Sequence, residues 1–363
     1  MRIQHAALSA ACAVLLAAGA ARAQDTVRLP AVAGEYYPAD PYTLQQALLK
    51  YLGEATAPAP EGRIIACVVP YAPYGLSAGV MAAPFKHLQA GQYDRVVVLA
   101  PPTSQELRGC SIAEVDAYAT PMGWIPVDTT ATKKLSYSPL VQTKTVNYRG
   151  PARGVHEKNA SIEVVLPFLQ QQLGLFRLVP IVVGDLFEGD PRLSNQRFEV
   201  IADAVRDVMD DRTLIVVCAH FSHYGEVFGY APFEGGAEEG VRKLDMDLVD
   251  FVLKQDGAAL EAELARTRNI MHGRSALHVL MALLPDEVRG TMVAYDTTGR
   301  ATGHWENSIS FAGIVYSDPA LPPNQGYPER AMDPKSPNDP APVTPSPESP
   351  EVLEAAPIET PAP

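Results

Sequence analysis

Two histidines three residues apart close a continuous apolar run. Leu214-Ile215-Val216-Val217-Cys218-Ala219 leads into His220-Phe221-Ser222-His223-Tyr224-Gly225. Imidazole is the commonest metal ligand and the natural proton carrier near neutral pH. An apolar run of this length, bounded by polar residues and glycine, reads as a buried parallel strand. In open α/β sheets, ligands gather beyond the carboxyl ends of the strands. His220 and His223 are therefore where chemistry is expected first. A second reading stays open: one histidine caps a loop and the other hydrogen-bonds inside the core.

The elements that must position such a pair are repeated along the chain. Arg63 to Pro70, Arg95 to Ala100 and Phe176 to Val183 are further apolar strands. Pro41–Leu52, Ser77–Leu88, Ser161–Leu173, Arg197–Met209, Asp245–Lys254, Gly257–Thr267 and Arg274–Leu284 read as helices, and Thr291–Asp296 and Ser308–Tyr316 as closing strands. Alternating strands and helices predict an α/β fold: one domain, a mostly parallel twisted sheet, helices on both faces. The loops after the strands, at Tyr71, Thr103, Asp185 and His220, would then share one rim.

The ends bound the domain. Met1-Arg2, the apolar run Ala6–Ala20 and the small-x-small site Ala21-Arg22-Ala23 predict a signal peptide over 1–23. The mature chain is expected to be periplasmic or secreted and not membrane-spanning. Residues 331–363 hold ten prolines, six acidic residues and one lysine, and predict a disordered acidic tail. The domain is expected over 24–325. A net charge of −13 argues against nucleic acid as a partner. Cys67, Cys110 and Cys218 are too few and too scattered for a disulfide framework.

The ordered motifs of the chain resemble the Memo family, also called AmmeMemoRadiSam system protein B. They are Leu29-Pro30-Ala31-Val32-Ala33-Gly34-Glu35-Tyr36-Tyr37-Pro38, Val115-Asp116-Ala117-Tyr118-Ala119-Thr120-Pro121, Ser161-Ile162-Glu163, Pro180-Ile181-Val182-Val183-Gly184, Ser222-His223-Tyr224-Gly225 and Gly273-Arg274. The resemblance runs from about residue 27 to 316. It implies a fold similar to the class III extradiol dioxygenases. It also implies metal ligands in a Pro-His-Ala-Gly-Tyr motif, a Pro-Ser-His-His motif and a cysteine before Gly-Arg. This chain departs at each. Tyr71 stands for the first histidine, Pro101-Pro102-Thr103-Ser104 replaces the second motif, and His272 stands for the cysteine. Ala160 replaces a histidine before Ser-Ile-Glu, and His220 replaces an aspartate.

With that resemblance, His220, His223 and His272 are expected to line one pocket with Tyr71, Thr103, Glu163 and Arg274. Three imidazoles and an open position describe a catalytic metal site for zinc, iron or copper. The competing reading is a decayed site without metal. Tyr71, Glu163 and His223 are the candidate catalytic groups; Thr103 and Arg274 are the candidate substrate contacts. Glu163 reads equally as a structural carboxylate near a helix start, and Arg274 as a salt-bridge partner or a clamp for a carboxylate. His156 reads as solvated, His278 as a core or cap residue, and His87 and His304 as surface or loop residues. No phosphate loop, nucleophile elbow or CxxC motif is present. Two functions remain: an exported metal-binding protein with a redox or dioxygenase-type role, or a non-catalytic descendant that binds a small molecule or a protein. Protein partners are not written in the sequence.

Overall fold

The computed structural model describes residues 26–143 and 154–326. The expected signal peptide and the expected acidic tail lie outside the described residues. The strands are β1 Val27–Arg28, β2 Arg63–Val69, β3 Arg95–Ala100, β4 Cys110–Ile112, β5 Ala117–Thr120, β6 Gly123–Pro126, β7 Val141–Gln142, β8 Arg177–Val183, β9 Thr213–Cys218, β10 His220–Gly225, β11 Met271–His272, β12 Arg289–Thr297 and β13 Asn307–Asp318. The helices are α1 Pro41–Glu54, α2 Tyr74–Phe85, α3 Thr129–Leu135, α4 Ala160–Glu163, α5 Leu166–Leu173, α6 Pro191–Arg206, α7 Ala237–Leu253, α8 Gly257–Thr267, α9 Arg274–Leu283 and α10 Thr298–Thr302.

Ten strands form one sheet in the order β11-β10-β13-β2-β9-β3-β8-β4-β7, with β12 also paired to β13. β1, β5 and β6 form a small separate sheet. The apolar runs at the centre become β2, β9, β3 and β8, which pair in parallel. On both sides of them the pairing turns antiparallel, through β13 and β10 on one flank and β4 on the other. The chain is thus α/β, and its sheet is parallel at the centre and mixed as a whole.

The central strands are apolar on both sides because both sides are covered. Val69, Val98, Val182 and Val216 pack with Leu44, Leu48, Met81 and Phe168 from α1, α2 and α5. Val68, Leu99, Ile181 and Val217 pack with Phe198, Leu248 and Leu280 from α6, α7 and α9. Each fully buried side chain of this size contributes about 1.5–3 kcal/mol. Local signals start the helices where they begin: Asp40 accepts the Thr43 N–H at 2.8 Å ahead of Pro41, and Asp190 caps α6 ahead of Pro191.

Two expected elements divide. The helix expected over Ser161–Leu173 is α4 and α5, because Pro167 suits the first turn of a new helix and not the interior of an old one. The strand expected to end in His220 stops at Cys218. Ala219 N–H donates to Val69 O at 3.0 Å, and β2 then ends at Pro70, which has no N–H to continue a ladder. The chain crosses to β13, whose far half pairs with β2 (Ile314 to Val68) and whose near half pairs with β10 (Ile309 to His223). His220 therefore opens an antiparallel strand and does not close a parallel one.

Candidate functional site: a histidine cluster beyond the central strands

Residues three apart on a regular strand point to opposite faces. His220 and His223 escape this through a β-bulge. β10 pairs His220 with His272 and Ser222 with Met271, so Phe221 is an extra residue in the ladder. The bulge resets the alternation. The ring centroids of His220 and His223 lie 5.8 Å apart, and those of His223 and His272 4.1 Å apart. Gly273 makes the third approach possible. Its φ is +85°, and a Cβ there would fall 2.6 Å from the carbonyl oxygen of Cys218. Only glycine lets the turn into α9 lie against the end of β9.

Tyr71, just beyond β2, completes the cluster. Its ring stacks on His220 at 3.8 Å with 5° between the planes, and its hydroxyl lies 3.5 Å from His272 Nδ1. The backbone N–H of Tyr71 donates to His220 Nε2 at 3.1 Å. A neutral imidazole has one acceptor nitrogen, so the His220 proton sits on Nδ1. His223 Nδ1 lies 3.1 Å from the Phe221 carbonyl and 3.3 Å from that of Ile270, and donates to them. Its lone pair is therefore on Nε2. His220 and His223 are buried, and His272 is exposed at the rim.

The three imidazoles are neutral at neutral pH. Burial drives the His220 pKa well below the ordinary histidine value, and the neighbouring His223 and His272 push it the same way. Burial, then His272, takes His223 down to about 4. Desolvation also lowers His272, and it raises the phenol of Tyr71. Three neutral imidazoles and an intact phenol remain.

These groups do not fit a three-imidazole metal centre as they stand. The acceptor nitrogen of His220 is already taken by the Tyr71 amide. Among the described residues, no group of three or more His, Cys, Asp or Glu side chains is disposed to hold a metal ion.

The other sequence-predicted residues divide between the pocket rim and the scaffold. Arg274 lines a cleft of about 850 Å³ together with His272, Phe187, Pro101, Arg108 and Asp185. Its guanidinium lies 4.4 Å over the Phe187 ring and is paired to both carboxylate oxygens of Glu261 on α8. His278 Nε2 bonds the same carboxylate at 2.9 Å. Thr103 is outside this cluster. Its hydroxyl accepts the Ala160 N–H at 3.0 Å and staples a loop to α4.

Glu163 is also apart from the imidazoles. It is fully buried, pairs with Arg28, and accepts from the backbone of Ala31 (2.8 Å) and Val32 (3.0 Å) and from the Tyr37 hydroxyl (2.6 Å). It clamps the N-terminal segment to the core. His156 is not solvated as expected. It is buried, bonds the Tyr118 hydroxyl at 2.8 Å, and burial takes its pKa down to about 4.

The network behind the bulge was not anticipated. Asp245, fully buried on α7, accepts from the Ser222 N–H at 3.0 Å, the Ser222 hydroxyl at 2.6 Å and the Tyr295 hydroxyl at 2.7 Å. A signal for it existed. Asp245 lies on the helical stripe of Val241, Leu248, Val249 and Val252, a carboxylate on an otherwise buried apolar face.

The fold and these motifs define a class, and comparison with known proteins agrees. A family model described as "Memo-like protein" matches residues 28–315, and the chain belongs to that family. It is 27% identical over 300 residues to a "MEMO1 family protein" of Thermococcus onnurineus, covering 80% of this chain and 99% of that protein. It is 28% identical over 295 residues to a "MEMO1 family protein" of Archaeoglobus fulgidus, at 80% and 99% coverage. It is 27% identical over 304 residues to the "Protein memo-1 homolog" of Caenorhabditis elegans, at 79% and 82% coverage.

Proposed function

We propose that this is an exported Memo-family protein that binds a small molecule in the cleft beside His272 and Arg274, without a catalytic metal. The observation that carries this reading is the Tyr71 N–H bond to His220 Nε2, which occupies the lone pair a third ligand would need. The cleft, at about 850 Å³, is within the range of small-molecule sites. Arg274 sits on its wall with an aromatic ring beneath it; Glu261 holds its Nε and Nη2, and its Nη1 is the edge offered to a ligand carboxylate. Export rests on the signal-like residues 1–23. No helix among the described residues is long and apolar enough to cross a membrane.

A ligand-observed NMR screen of small carboxylates against the mature protein tests this. Binders are expected whose affinity falls at least about tenfold in Arg274→Ala, the loss of about 1.4 kcal/mol. A screen that yields no binder sensitive to that substitution overturns the reading.

A second reading is a redox or dioxygenase-type protein that holds zinc, iron or copper. The 4.1 Å approach of the His223 and His272 rings favours it. His223 Nε2 and His272 would be the ligands. The metal would act there as a Lewis acid or a redox centre.

A further inference from the structure

We infer that Asp245 is the positioning residue of the histidine pocket: its carboxylate fixes the bulge that puts His220 and His223 on one side of β10. The sequence His220-Phe221-Ser222-His223 has no pattern that favours an extra residue at Phe221, and unbulged pairing would turn one histidine away. Something outside the ladder must hold the bulged register. Asp245 Oδ1 takes both the backbone N–H and the hydroxyl of Ser222, the residue that follows the extra one. Asn269 Nδ2 donates to the same hydroxyl at 2.6 Å. This orients the Ser222 proton toward the carboxylate, and such chains polarise one another.

The other oxygen of Asp245 receives the Tyr295 hydroxyl of β12, so α7, β10 and the closing hairpin meet at one carboxylate. A regular strand needs no buried charge, and a buried carboxylate is costly without partners. Its partners here are groups that set the strand's register. Asp245 touches none of the imidazoles in its hydrogen bonds and acts on them through Ser222 alone. The inference does not depend on what the cleft binds.

The test reads the imidazoles themselves. Mature protein with ¹⁵N-labelled histidine reports each ring's tautomer through its ring-nitrogen shifts. In the wild type, His220 and His223 are expected as Nδ1–H tautomers. In Asp245→Ala, the single Nδ1–H tautomer of His223 should give way to a mixture, because the bulge places the Phe221 and Ile270 carbonyls that select it. The Tyr71-bonded tautomer of His220 should be lost with it. Asp245→Asn should restore the wild-type pattern, because the amide oxygen still accepts from Ser222. Val249→Ala, on the same buried face of α7, should lower stability and leave the pattern intact. If Asp245→Ala does not fold, Ser222→Ala carries the test, since it deletes the hydroxyl half of the clamp. Its His223 ring should then show a partial loss of the Nδ1–H tautomer. Wild-type tautomers in a folded Asp245→Ala, or in Ser222→Ala, would overturn the inference.

Discussion

The backbone N–H of Tyr71 meets Nε2 of His220 at 3.1 Å, while the Tyr71 ring lies flat on the same imidazole with centroids 3.8 Å apart. One residue thus fixes both the tautomer and the plane of the histidine. The contact closes the gap between the end of β2 and the start of β10. Tyr71→Ala keeps the amide but deletes a buried ring, and should cost about 3–5 kcal/mol, as for other large aromatic truncations. Tyr71→Phe removes only the long hydroxyl contact to His272 and should cost less than about 1 kcal/mol. Urea denaturation of the two variants checks this. Equal losses would mean that the hydroxyl, and not the stack, carries the contact.

Acid should destabilise the protein well above the carboxylate range. His223 and His156 titrate at about 4 when folded. In the unfolded chain they would titrate at about 6.5. Between those values the unfolded chain binds more protons, so stability is full above about pH 6.5 and falls as pH drops toward 4. Each histidine should account for about 2–3 kcal/mol by pH 4.5. Asp245 works against this trend. Burial raises its folded pKa, so its contribution weakens as pH rises through that value. Asp245→Asn should therefore show a steeper acid limb than the wild type. Unfolding midpoints at pH 7.5 and 4.5 check both points, and a flat wild-type profile would contradict them.

Glu163 is the hub of the N-terminal clamp. Glu163→Ala leaves Arg28 buried without its partner and should cost about 3–5 kcal/mol. The loss should appear in the denaturation midpoint. The His223 titration should stay unchanged, because both oxygens of Glu163 face the N-terminal segment. A shift of the His223 midpoint in a folded Glu163 variant would return this carboxylate to the pocket.

Gly273 should tolerate no side chain. Gly273→Ala sets a Cβ against the Cys218 carbonyl at 2.6 Å and holds it at a φ of +85°. Backbone strain of this kind costs about 1–3 kcal/mol before the clash is counted. Thermal unfolding checks this, and an unchanged melting temperature would contradict the close approach.

Much of this was legible in residues whose neighbours decide little. The apolar runs at Ile64, Val96, Val179 and Leu214 announce central strands because burial on both faces leaves no alternation to misread. The meeting of His220, His223 and His272 was legible from the strand end and from the family resemblance. The Phe221 bulge was not, since its cause is Asp245, 23 residues from Ser222. The structural role of Glu163 could not be told from a pocket role for the same reason: its partners Arg28, Ala31, Val32 and Tyr37 are more than 120 residues away. His156 sat among charged residues in sequence but is buried against Tyr118. Local composition reports exposure only where no distant element folds over it.

The most direct test of a pocket without a three-imidazole metal centre is a zinc titration of the mature protein at pH 7.5, followed by calorimetry, on wild type and His220→Ala. The account predicts binding no tighter than roughly micromolar, and the same in both proteins, because His220 offers no lone pair. Tight one-to-one binding that is lost in His220→Ala would contradict it.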